Sequence, residues 1–108
     1  MTVKLFAEKT GCKPICIPSP DREINGVYIG DLLSWVMGNA NADDLWITIM
    51  SNKNIAAVAT LTDTSCIILA EGVLPDEGVV GICEEKGINL LSSKCGAYET
   101  AIAINKVL

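Results

Sequence analysis

Three apolar stretches decide the fold: LWITIM at residues 45–50, CIILA at 66–70 and INLL at 88–91. None alternates strictly between apolar and polar residues, so each reads as a strand buried on both faces. Ile47 and Ile67 are 20 residues apart, and Ile68 and Leu90 are 22 apart. Each strand is followed by a segment with helical character. Residues 54–61 present Ile55, Val58, Ala59 and Leu61. Residues 75–86 open with a proline and two acids, carry Lys86 in the last turn and stop at Gly87. Residues 96–107 place Ala97, Ala101 and Ile104, with Leu108, on one stripe. Buried strands alternating with helices at this spacing imply parallel strands, right-handed crossovers and helices on both faces. The expected fold class is α/β, a single three-layer domain over residues 1–108 with a mainly parallel central sheet. Ala56-Ala57-Val58-Ala59 is small enough for a helix packed closely on that sheet.

Upstream, the segment from Thr2 to Lys9 reads as a helix capped by Thr2 and stopped by Gly11. Ile15-Cys16-Ile17 lies between prolines and reads as a short strand and turn. A second extended segment, 23–28, is interrupted by Asn25-Gly26, which favours a tight turn or bulge. Asp31 is a candidate N-cap for a helix with Leu32, Leu33, Val36, Met37 and Ala40 on one stripe. The sequence leaves open whether the two short amino-terminal strands join the main sheet or pair separately.

Composition narrows function by exclusion. Half of the 108 residues are hydrophobic and 19% are charged, enough for one core. Eight lysines and arginines against 13 acids give a net charge of −5, which argues against a nucleic-acid partner. The absence of histidine removes Ser-His and Cys-His dyads and imidazole metal sites. No apolar run approaches a membrane span, and the charged opening residues do not resemble a signal peptide, so the expected setting is cytoplasmic without membrane association. Five cysteines lack a CxxC pair, and the Cys12–Cys16 spacing has no second pair to complete a metal ribbon. Cys16, Cys66 and Cys83 read as small apolar residues, and Cys95 as a thiol just before a helix start.

In open α/β sheets, ligands bind beyond the carboxyl ends of the strands, where helix N-termini point. That rule selects Gly30 and Asp31; Thr48, Ser51, Asn52, Lys53 and Asn54; Glu71 and Gly72; and Ser92, Ser93 and Lys94. Two cations of an acidic chain, Lys53 and Lys94, fall on these loops, which suits a phosphate-bearing ligand held also by Ser and Asn. The same residues serve equally as helix caps and solvated charges with no ligand. Trp35 and Trp46 fit core or interface packing better than base stacking. Asp43-Asp44 reads as a solvated turn. No P-loop, GxGxxG or GxSxG motif is present, so no enzymatic activity, cofactor or metal is expected.

The segments 21–28 (DREINGVY), 30–34 (GDLLS), 46–49 (WITI) and 54–59 (NIAAVA), in that order, resemble the DRTGG domain family. The family is similar to the amino-terminal domain of HPr kinase/phosphorylases and, more distantly, to that of Mur ligases. The resemblance implies a regulatory, commonly self-associating module that can take a nucleotide-type ligand; it implies no kinase activity. Val27 replaces the second signature glycine, and Ser51-Asn52-Lys53 stands where the family often has histidine. Two functions follow as expectations. One is a homodimeric regulatory module binding a nucleotide or phosphorylated metabolite. The other is a protein-interaction module docking on a larger metabolic enzyme with no small ligand.

Overall fold

The three apolar stretches become adjacent parallel strands at the centre of one five-stranded sheet. The computed structural model describes residues 1–108. The elements run α1 (Val3–Thr10), β1 (Lys13–Cys16), β2 (Gly26–Ile29), α2 (Leu33–Asn39), β3 (Asp44–Thr48), α3 (Asn54–Thr62), β4 (Cys66–Leu69), α4 (Val79–Lys86), β5 (Leu90–Ser92) and α5 (Ala97–Val107). Sheet order is β1-β5-β4-β3-β2. Strands β2 to β5 are parallel, and β1 closes one edge antiparallel to β5. Both amino-terminal strands therefore join the main sheet, one at each edge.

Side-chain alternation along each strand feeds two cores. Leu45, Ile47, Ile68 and Leu91 pack with Val3 and Phe6 of α1 and Ile104 of α5. Trp46, Ile67, Leu69 and Leu90 pack with Val36 of α2, Ile55 and Val58 of α3, and Val79 and Cys83 of α4. Fully burying one such aliphatic side chain contributes ~1.5–3 kcal/mol, so the two layers carry most of the stability. Thr2 caps α1 by accepting from the Leu5 amide at 3.2 Å, and Gly11 ends the helix at φ 75°.

Several local expectations are corrected. Asn25-Gly26 makes no positive-φ turn. Gly26 opens β2, and a Cβ there would run into Asp44 Oδ1, so its value is close approach and not turn geometry. Asp43-Asp44 is a turn only at Asp43, which takes φ 66° and is ion-paired to Arg22, while Asp44 is buried in β3. The helix expected over 75–86 begins only at Val79, because Gly78 takes φ 87° and breaks the first turn. Asp31 does not cap α2; Leu32 occupies that position without a side-chain bond. Leu32, Met37, Leu61 and Leu108, expected on buried stripes, are all exposed.

A polar belt fastens the amino-terminal ends of the parallel strands. Arg22 donates to Asp43 Oδ1 at 2.9 Å, to Asp63 Oδ1 at 2.8 Å and to the Asp63 carbonyl at 2.6 Å. Burial lowers the guanidinium pKa, but the two carboxylates outweigh it and the net direction is upward. Buried Asn89 donates to the Ser19 and Ser65 carbonyls at 2.8 and 3.0 Å and accepts from the Ser19 amide at 2.9 Å. The amino group of Met1 pairs with Glu23 at 2.8 Å.

Candidate functional site

The carboxyl ends of β2, β3, β4 and β5 open onto a common rim, because these strands are parallel and adjacent. All twelve residues selected from the sequence lie on or directly beyond those strand ends. The rim loops are joined in sequence across the sheet. Asp31 Oδ1 accepts from the Thr48 hydroxyl and the Ile49 amide, tying the loop after β2 to the end of β3. Ser51 donates to Asp76 Oδ1 at 2.9 Å, and the Asp76 amide returns a bond to the Ser51 carbonyl, tying the loop after β3 to that after β4. The Glu71 amide donates to the Cys95 carbonyl at 2.7 Å and the Gly72 amide to the Ser93 carbonyl at 2.8 Å, tying the loops after β4 and β5. Glu71 and Gly72 reach this geometry through positive φ, 60° and 68°.

These bonds separate ten of the twelve residues into two groups; of the other two, Gly72 gives its amide to the Ser93 carbonyl and Ser92 pairs with Lys13 in the sheet. Gly30, Asp31, Thr48, Ser51, Asn52 and Ser93 are occupied in building the rim. The Gly30 carbonyl accepts from Trp46 Nε1 at 2.9 Å. Asn52 Oδ1 accepts from the Asn54 amide at 2.9 Å, at the start of α3. Ser93 is buried against Thr100 at 2.8 Å. The side chains of Lys53, Asn54, Glu71 and Lys94 are exposed and make no hydrogen bond or ion pair within the chain. Lys53 follows β3 and Lys94 follows β5, two strands away; at about 4.8 Å per strand, their strands lie ~10 Å apart.

One cavity sits on the rim, at the corner where β1 meets β5. Its volume is about 350 Å³ and its walls include Lys13, Ser92, Lys94, Cys95, Glu99 and Thr100. Lys13 arrives there because β1 is antiparallel: it pairs with Ser92, so the start of β1 meets the end of β5. Helix α5 contributes Glu99, Thr100 and Ala103 to the wall, while its N-cap Gly96 and first residues Ala97 and Tyr98 lie outside the lining. Two lysines thus share one hollow, partly offset by Glu99 and by the carboxyl end of α1 at Thr10 and Gly11. Of the twelve residues expected at a common pocket, only Ser92, Ser93 and Lys94 line this cavity; Gly30, Asp31, Thr48, Ser51, Asn52, Lys53, Asn54, Glu71 and Gly72 do not. Residue pattern alone missed Lys13, since nothing in KPIC announces the direction in which it joins the sheet.

The cysteines are free thiols. Burial pushes Cys66 up to about 12 and Cys83 up to about 11, and it raises Cys12 and Cys16 as well. Cys95 is exposed beside the cavity. No group of three or more Cys, Asp or Glu is placed to hold a metal ion. No helix is long and apolar enough to cross a membrane.

Comparison with known proteins agrees with this architecture. The family model for the DRTGG domain matches residues 19–107. Among solved structures, the chain is similar to the CBS and DRTGG domains of the regulatory region of Clostridium perfringens pyrophosphatase, complexed with its activator diadenosine tetraphosphate. The TM-score is 0.72 at 12% identity, over 95% of this chain and 45% of that one. The chain therefore spans less than half the length of that structure, and the likeness is one of fold. No curated protein matches.

Proposed function

The chain belongs to the DRTGG domain family, and from that membership we propose that it is a non-catalytic regulatory module, homodimeric, that takes a phosphate-bearing, nucleotide-like ligand at its strand-end rim. The observation that carries this reading is the cavity walled by Lys13, Lys94 and the serines at the end of β5. Its volume suits a small molecule, and its two cations are placed in a chain of net charge −5. The pyrophosphatase regulatory region was solved with a nucleotide activator, which supports the ligand class.

The joined rim loops suggest how occupancy would be felt. A ligand drawn onto Lys94 and Ser92 pulls on the loop after β5. Gly72 and Glu71 are bonded to that loop, so the loop after β4 moves or stiffens with it. The ligand's effect is on the shape and mobility of the rim, and through it on whatever the module adjoins.

Thermal unfolding in the presence of adenine and uridine nucleotides, dinucleoside polyphosphates and inorganic phosphate tests the reading. A ligand at 100 times its Kd stabilises by ~2.7 kcal/mol, on the order of 10 °C for a domain of this size. Lys13→Ala and Lys94→Ala each abolish most of that shift. The exposed apolar residues favour a second reading, docking on a larger metabolic enzyme with no small ligand. Absence of a shift with every compound, together with stable co-purification of such an enzyme, would establish the second reading and remove the first.

A further inference from the structure

The two edges of the sheet are unlike, and the difference names a partner. At one edge, β1 carries Lys13 and Pro14, its register with β5 shifts between Pro14 and Cys16, and Pro18 follows soon after. Proline removes a donor and a charge resists burial, so this edge is guarded against further pairing. At the other edge, β2 is Gly26-Val27-Tyr28-Ile29, with neither proline nor charge, and nothing pairs its outer side.

The outward groups can be identified. The Gly30 amide donates to the Ile47 carbonyl of β3 at 3.1 Å. Polar groups of successive strand residues point to opposite sides, so Tyr28 turns its backbone toward β3 while Val27 and Ile29 turn theirs outward. The side chains of Val27 and Ile29 are 40% and 48% exposed. They share the sheet face of their register partners Leu45 and Ile47, which α1 and α5 cover farther along. Tyr28 packs on the opposite face with Trp46.

The apolar exposure is concentrated there. Val27, Ile29, Leu32, Trp35 and Met37 are five of the chain's twelve exposed large hydrophobics, within 11 consecutive residues. Between Glu23 and Asp43 the only charged residue is Asp31, whose carboxylate is engaged at the end of β3. Helix α2 packs on α3, α3 on α4, and α4 on β1, so α2 lies at the β2 end of its layer. Two copies of a chain carrying −5 meet with little repulsion through this segment, whose single charge is Asp31.

We propose that β2 pairs antiparallel with β2 of a second copy about a two-fold axis through Tyr28, joining two five-stranded sheets into one of ten. Val27 then exchanges backbone hydrogen bonds with Ile29 of the other copy, and the reverse. Antiparallel pairing of one edge with itself is closed, whereas β2 on β1 would propagate without end; the guarded β1 edge prevents that. The occupant of the edge is a second copy of this chain, since that occupant offers the same uncharged, unpaired strand in the same register.

The inference rests on the homodimer in the reading above, and the test separates the two. Light scattering coupled to size exclusion is applied to the 108-residue chain, to Ile29→Lys and to Leu61→Lys, a control on exposed α3 surface. Circular dichroism verifies that each variant is folded. A dimer that becomes a monomer with Ile29→Lys and not with Leu61→Lys supports the β2 edge. A dimer indifferent to Ile29→Lys overturns the edge and leaves the homodimer standing. A wild-type monomer at all concentrations overturns both, and an assembly growing beyond two overturns the closed pair. Should Ile29→Lys fail to fold, residue-resolved hydrogen exchange of the wild type decides. Protection of the Val27 and Ile29 amides rises with protein concentration if they are paired across copies; a concentration-independent rate overturns the edge.

Discussion

Asp31 Oδ1 lies 2.9 Å from the Thr48 hydroxyl and accepts from it. The same oxygen accepts from the Ile49 amide, so one exposed carboxylate fixes the exit of β3 relative to that of β2. Asp31→Ala removes both bonds and costs about 1 kcal/mol in urea unfolding, the low end for bonds to a charged acceptor because the group is solvent-accessible. Asp31→Asn keeps a carbonyl acceptor and loses less. An unchanged midpoint in Asp31→Ala would show the rim to be held by strand pairing alone.

The rim cations divide by ligand length. On the proposed reading a compound with one phosphate seats between Lys13 and Lys94, so Lys53→Ala is expected to leave its affinity unchanged. A dinucleoside polyphosphate is long enough to span the ~10 Å between the strands that precede the two loops, and Lys53→Ala then weakens it several-fold. Isothermal titration of both ligand lengths against the three lysine variants reads the difference.

Arg22 is a fastener remote from the rim. Arg22→Ala costs about 1–2 kcal/mol, since the pairs are partly exposed and screened. Arg22→Lys recovers only part of it, because an ammonium cannot reach Asp43, Asp63 and the Asp63 carbonyl with one planar fork. Ligand affinity is unaffected in both, as measured at a temperature where each variant is fully folded.

Alkaline pH destabilises the fold through its buried thiols. Cys66 and Cys83 sit above the ordinary thiol value of 9.0 because burial disfavours the thiolate. A folded-state value above the unfolded one means the stabilisation is whole below about pH 9 and is lost as pH rises toward 11 or 12. Urea midpoints therefore fall across that window, and Cys66→Ala flattens the fall. In the native state at neutral pH, Cys95 reacts first with a thiol reagent, and buried Cys12, Cys66 and Cys83 lag far behind.

The central sheet was legible from LWITIM, CIILA and INLL because doubly buried parallel strands leave a contiguous apolar signature. The helix ends at Thr2, Gly11 and Gly87 were legible because a cap or a left-handed residue is a local requirement. The failures share another cause. Asp31 is a good cap by type, yet Thr48, distant in sequence, offers it a better bond. Gly26 reads as a turn residue, yet its role is set by Asp44 on the neighbouring strand. Lys13 reached the candidate site only through the direction of β1, which no short segment encodes. Local chemistry placed the rim; pairing across the sheet determined which rim residues are left free to meet a ligand.

The antiparallel edge strand also bears on where this domain can be cut. The family match begins at residue 19, after α1 and β1. A fragment trimmed to that boundary would lose Val3 and Phe6 from beneath the sheet, strip Lys13 from the cavity and bare the flank of β5. Such a fragment would bare the apolar sheet face that Val3 and Phe6 cover and lack a wall of the cavity, so a failed nucleotide titration on it would say nothing about the proposed site.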